Sequence, residues 1–406
     1  MKLVKLSLAA AVAAGALAMS ASAVPLEEAI KDVDLNGYAR MRYTHDHWKN
    51  NDDNTNKGVW EFKSEVDFKA KIDDNFFGVV GVRFLDRDLG ESHSSSNSQY
   101  HGRQNNFQHP DESEKDSDFD IAKAYLGYTI GGTTIAVGRQ GIGSFFTDDM
   151  YGDGVKITST DIEGLTISGF WMDSLENDGD ISSLDWGAAV DNKLTTDHNL
   201  YGIGFMGSYD PVSFQLWYNA LEDVAQLFAA ELALNFDISD DFNLGVKGQY
   251  AFSDFDGDYK DAGASDADFW AAEANAGFFG VDLAAGYLKF EPDDKDKVSF
   301  VSFEDQGSFI SPGEELLDYR NFSGENHYWY VVAGYTIPDT GIRIGADYLD
   351  GKADGDNAYE VVGRISYKYN EKLSFKTWYS HYKIDDAAGG LDEKKDRIRF
   401  EAKYSF

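Results

Sequence analysis

The stretch Trp60-Glu61-Phe62-Lys63-Ser64-Glu65-Val66-Asp67-Phe68-Lys69-Ala70-Lys71-Ile72 decides the fold. Every second residue from Glu61 to Lys71 is charged, and the residues between are mostly apolar. A β-strand turns successive side chains to opposite faces, so this segment has one greasy face and one ionised face. It cannot lie in a core packed on both sides, because that would bury six charges. Two arrangements remain. In a soluble sandwich the apolar face points inward, and in a membrane barrel it points to lipid while the charged face lines water.

The same two-faced pattern recurs along the chain. Ile398, Phe400, Ala402, Tyr404 and Phe406 alternate with Arg397, Arg399, Glu401, Lys403 and Ser405. Ile342, Ile344, Ala346 and Tyr348 alternate with Arg343, Gly345 and Asp347. Many segments exceed the roughly 5–6 residues of an ordinary strand and match the about 9–11 of a tilted membrane strand. Aromatics stand near segment ends, at Tyr43, Trp60, Trp171, Tyr209, Trp270, Tyr328 and Tyr369, as interfacial girdles would. Short turns such as Asp73-Asp74-Asn75, Gly131-Gly132 and Asp210-Pro211 alternate with longer polar stretches at 45–57, 88–117, 140–153, 174–197, 254–265, 291–325 and 385–394. The reading is therefore all-β: a transmembrane antiparallel β-barrel of about eighteen strands, porin-like, filling 35–406. An even count places both ends on one side, which export would make the periplasm.

Composition agrees. The chain has 406 residues, no cysteine, 15% aromatics, and 71 Asp+Glu against 36 Lys+Arg, for a formal charge of −35. Absence of cysteine excludes disulfides and thiolate-ligated metals. The acidity argues against nucleic acid as a partner. Residues 1–23 read as a signal peptide: Lys2 and Lys5, an apolar run, then Ala21-Ser22-Ala23. Its removal would take the charge from −35 to −37. Residues 24–34 read as a short periplasmic segment. The expected location is the bacterial outer membrane, with its lipid as partner. Phe406, ending a stripe of alternating apolar residues, looks like the strand that the barrel-insertion machinery recognises.

Further stretches carry a resemblance. The opening MKLVKLSLAAAVAAGALA, then PLEEAIKDVDLNG (Pro25–Gly37), IEGLTISGFWMDS (Ile162–Ser174), NLYGIGFMGSYD (Asn199–Asp210), FEDQGSFISPGEELLDY (Phe303–Tyr319) and IRIGADY (Ile342–Tyr348) resemble the major outer membrane protein family of Campylobacter and related epsilon-class bacteria. The resemblance implies an eighteen-stranded, cation-preferring, general-diffusion porin assembled as a homotrimer, passing ions and small hydrophilic solutes. It also implies that the third long loop, 141–154, folds inward and constricts the pore.

That loop carries Asp148, Asp149 and Asp153, with Phe145, Phe146 and Met150 able to pin it to the wall. Inward strand positions offer Arg40, Arg42, Arg83, Arg343, Arg364, Arg397 and Arg399, and Arg139 stands at the loop's entry with its strand phase open. Acids on a loop facing arginines on a wall would set a transverse field, and charge rings of this kind set ionic preference. The three aspartates equally fit an exposed turn, and each arginine a plain lumen charge paired with a nearby carboxylate. As hard oxygen ligands the aspartates are also a candidate Ca²⁺ site, although no cofactor is required. Asp254, Asp256 and Asp258 fail the calcium-loop pattern, since Gly257 stands fourth rather than sixth.

No enzyme is expected: there is no G-x-S-x-G, and nearly all of the eight histidines fall in loops or at strand ends. The competing reading is a structural or adhesive barrel serving as a platform for acidic surface loops, with 88–117 and 291–325 as its display elements.

Overall fold

The computed structural model describes residues 33–50, 53–87, 117–176, 195–385 and 392–406. The expected signal peptide, nearly all of the 24–34 segment, and the greater part of the 88–117 and 174–197 loops lie outside them. Eighteen strands run in chain order: β1 Val33–Asn50, β2 Asp53–Lys71, β3 Phe76–Arg87, β4 Ser117–Ile130, β5 Thr133–Gly141, β6 Tyr151–Ile162, β7 Leu165–Leu175, β8 Leu200–Tyr209, β9 Val212–Leu221, β10 Ala225–Ser239, β11 Phe242–Phe255, β12 Ala267–Phe278, β13 Val281–Pro292, β14 Asn326–Thr336, β15 Ile342–Ala353, β16 Asp356–Lys368, β17 Leu373–Ile384 and β18 Glu393–Ser405.

Each strand pairs antiparallel with its sequence neighbours, and β18 returns to pair with β1 from Tyr38↔Ser405 to Trp48↔Lys395. The sheet is thereby closed and has no free edge, the condition for satisfying backbone groups inside lipid. Phe406 completes the seam, its N–H donating to the Gly37 carbonyl at 3.0 Å.

Turn chemistry explains the tight end of the barrel. The Asp73 carboxylate accepts from the N–H groups of Asn75 at 2.8 Å and Phe76 at 2.7 Å, capping the β2–β3 turn. Gly164, at φ +77°, supplies the left-handed step between β6 and β7. At the other end the expected 45–57 loop is strand through most of its length, because β1 and β2 continue their ladder to Asn50↔Asp53. The 254–265 stretch folds into α1, Gly257–Asp261, capped by the Asp256 side chain.

The alternation sorts as expected. Trp60, Trp171, Trp270, Trp329, Ile344, Ile365, Ile398 and Phe400 are exposed on the outer face. Tyr328 is a correction to the expected girdle: it is fully buried and shares the inner face of β14 with Tyr330, while Trp329 takes the outward position. The inner faces of β7 to β14 are largely apolar toward their loop ends, with polar residues such as Glu231 and Asp282 nearer the tight turns. Met172, Trp217, Leu227, Phe269, Leu288, Phe290 and Tyr330 join Phe145, Phe146, Phe303, Phe309 and Tyr319 from two loops in one buried cluster inside the barrel.

Candidate functional site

Among the described residues, two loops turn into the lumen and supply much of its buried aromatic cluster. The first, 142–150, connects β5 to β6 and buries Ile142, Phe145, Phe146 and Met150. Lys156 on β6 ties its entry by donating to the Ile142 carbonyl at 2.7 Å. The second, 293–325, connects β13 to β14. It is the loop expected at the surface, and it turns inward instead. The reason lies in its composition: Phe300, Val301, Phe303, Phe309, Leu317 and Tyr319 are too apolar to be left in water, and each is buried.

The loops are joined through backbone. The N–H groups of Phe303 and Ser308 donate to the carbonyls of Phe146 at 2.9 Å and Phe145 at 2.7 Å. The Glu304 carboxylate accepts from the Asp148 N–H at 2.9 Å. Gly307 allows this approach: its φ is +52°, and a Cβ there would stand 2.5 Å from the Phe145 carbonyl oxygen. The ring of Phe309 packs edge-on against Phe145 at 4.9 Å and Phe269 at 4.6 Å. The Tyr319 hydroxyl donates to the Ile310 carbonyl at 2.7 Å, and burial holds that hydroxyl well above its ordinary pKa, in its donor form.

Beyond Ile310 the second loop crosses to the opposite wall. There the Glu360 carboxylate of β16, itself fully buried, accepts the N–H groups of Glu314 at 3.0 Å, Glu315 at 3.1 Å and Leu316 at 3.1 Å. It also accepts the Ser380 hydroxyl of β17 at 2.6 Å. The side chains of the same tip are clamped by bases. Glu314 pairs with Arg364, which also holds Asp347. Glu315 pairs with Lys395 and with Arg397, each at 2.6 Å. Asp46 completes the arrangement, its Oδ2 accepting from Arg397 at 2.6 Å.

The remaining inner wall is a lattice of paired charges. Arg40 meets Glu61 at 2.6 Å and Arg42 meets Glu401 at 2.8 Å. Lys123 bridges Glu65 and Asp67, both at 2.7 Å. Arg83 holds Asp120 at 2.8 Å and also Glu176. Tyr151 donates to Glu65 at 2.9 Å.

The expected site residues fall into three groups. Asp149 lies on the inward loop, paired at 3.0 Å with Lys63 rather than with an arginine, and Asp148 is exposed beside it. Arg40, Arg42, Arg83, Arg364, Arg397 and Arg399 line the inner wall. Arg343 lies on that face near the tight-turn end, paired with Asp282. Asp153 and Arg139 stand apart. They face each other across the β5–β6 ladder and pair at 3.1 Å. Arg139 follows Ile135 and Val137, which are 36% and 54% exposed, so by alternation it belongs to the outer face at the rim. Strand β6 begins at Tyr151, which leaves Asp153 outside the loop.

Of the three candidate calcium ligands, Asp149 pairs with Lys63, and Asp153 with Arg139 and with the Ser174 hydroxyl at 3.1 Å. Among the described residues no group of three or more His, Cys, Asp or Glu is placed to hold a metal ion.

Sequence reasoning missed Glu314, Glu315 and Glu360. The available signal was the run Tyr328-Trp329-Tyr330-Val331-Val332, apolar on both faces. A strand greasy on its inner face needs something to pack there, and the apolar 299–322 segment is that partner.

Comparison with known proteins agrees with this architecture. The family model described as Campylobacter major outer membrane protein matches residues 1–404. No curated protein matches the chain. Among solved structures, OccAB1 of Acinetobacter baumannii superposes with a TM-score of 0.71 at 12% identity, over 93% of this chain and 97% of that one. OpdK of Pseudomonas aeruginosa, crystallised with vanillate, gives 0.70 at 15% identity, over 93% and 99%. OccK8 (OprE) of the same organism gives 0.69 at 14% identity, over 92% and 98%. At these identities the likeness is one of fold. With the family model spanning almost the whole chain, this porin-type barrel belongs to the Campylobacter major outer membrane protein family and resides in the outer membrane.

Proposed function

We propose that the barrel is a general-diffusion channel that passes ions and small hydrophilic solutes and prefers cations. One observation carries the reading: ionised side chains line the inner wall while the outer face is apolar and aromatic-belted, and two loops narrow the interior between them. The physics of such a pore is geometric and electrostatic. Most wall arginines are held by carboxylates, so the basic wall is largely neutralised, and the chain's excess of acids sets the sign of the mean field. Assembly as a homotrimer, export by residues 1–23 and insertion through the strand ending in Phe406 belong to the same proposal.

The adhesive reading is weaker for the 293–325 loop, since that segment spends its apolar side chains inside the barrel. Planar bilayers containing the purified protein, under a potassium chloride gradient, test the proposal. Stepwise openings with a reversal potential on the potassium side are expected. A silent bilayer overturns the channel, and a reversal potential on the chloride side overturns the cation preference.

A further inference from the structure

We propose that Arg399, with Trp378 and Thr44, forms a resting site inside the lumen for the carboxylate of a small organic anion. The inference rests on the channel reading and adds a solute class to it.

The described arginines differ in one respect. Arg40, Arg42, Arg83, Arg87, Arg139, Arg320, Arg343, Arg364 and Arg397 each have a carboxylate within ion-pair distance. Among the described residues Arg399 alone has none. Its neighbours along the inner face of β18 are already committed: Glu401 is held by Arg42, and Arg397 holds Asp46 and Glu315.

The guanidinium is nevertheless fixed in place from both flanking strands. Thr44 of β1 and Trp378 of β17 are its register partners. Its Nε donates to the Thr44 hydroxyl at 3.2 Å, and its central carbon lies 4.9 Å from the Trp378 ring centroid. This leaves the two terminal nitrogens with no acceptor among the described residues. A planar fork, oriented by stacking and one hydrogen bond, matches the two oxygens of a carboxylate, and its positive charge is not cancelled locally. Orientation beforehand means that little rotamer freedom is lost on binding. In an otherwise acidic channel such a site would slow a passing organic anion at one point rather than admit anions in bulk.

The test uses the full-length protein in planar bilayers, with sodium benzoate as probe and uncharged benzamide as control. Benzoate is expected to reduce the single-channel current in a dose-dependent way, and benzamide at equal concentration is not. Arg399→Gln should raise the half-blocking concentration by about tenfold, the effect of losing a charge-assisted bidentate contact. Arg399→Lys keeps the charge, reports on the fork if the glutamine variant does not insert, and should fall between the two. Equal block of wild type, Arg399→Gln and Arg399→Lys, or equal block by benzamide, overturns the site while leaving the channel intact. Absence of stepwise openings in wild type overturns the channel and the site together.

Discussion

Removing the Glu360 carboxylate should release the tip of the second inward loop without opening the barrel. In Glu360→Ala four donors lose their acceptor: three consecutive backbone N–H groups, Glu314 to Leu316, and the Ser380 hydroxyl. A hydrogen bond to a charged acceptor contributes about 1.5–3 kcal/mol, so the gross loss is roughly 6–12 kcal/mol. Lumen water can solvate the freed donors, and Arg364, Lys395 and Arg397 still hold the Glu314 and Glu315 side chains, which reduces the net loss to about 3–5 kcal/mol. That is enough to populate a detached tip. The eighteen-strand ladder makes no use of Glu360's side chain, so strand content and insertion into detergent or lipid should persist. In bilayers the variant should show larger and noisier unit conductance than wild type. Limited proteolysis should cut between residues 311 and 318, where the wild type resists. Glu360→Gln, retaining one acceptor oxygen, should lie between them. A variant with wild-type conductance, noise and protease resistance would refute the view that this buried carboxylate anchors the loop.

Three further outcomes follow from the same geometry. Gly307→Val places a branched side chain at a positive φ and against the Phe145 carbonyl, so it should undock the two loops and lower the thermal midpoint. Phe309→Ala removes the ring that joins Phe145, Phe269 and Tyr319, and should cost about 3–5 kcal/mol in loop docking, read as earlier proteolysis of residues 293–325. Lys63→Met takes away the cation that pairs with Asp149 on the first loop, so the reversal potential in a potassium chloride gradient should move further toward potassium. An unchanged value would show that Asp149 does not feel the permeating ion.

The strand pattern was legible because a membrane barrel imposes a local rule. Each residue of β2 or β18 faces either hydrocarbon or the lumen, so period-two alternation survives in the chain and the strand count could be read from it. The turns were legible for the same local reason, since Asp73 or Gly164 does its work within a few residues. The arginine positions on β1, β3, β16 and β18 came from this alternation as well. Arg139 did not resolve, because it stands near the end of β5, where the strand gives way to the inward loop.

The inside of the barrel obeys no such rule. Which acid meets which base depends on elements far apart in sequence: Glu315 with Lys395 and Arg397, Glu360 with the backbone of 314–316, Glu304 with the N–H of Asp148. A polar stretch between two strands reads alike whether it stands in water or folds back through the lumen. What turns the 293–325 loop inward is the largely apolar inner face of β7 to β14, and that face exists only once the sheet has closed and brought those strands around a common axis. Alternation along the chain, then, determined the wall of this protein; burial between distant segments decided what fills it, because apolar surface finds its partner in space and not in sequence.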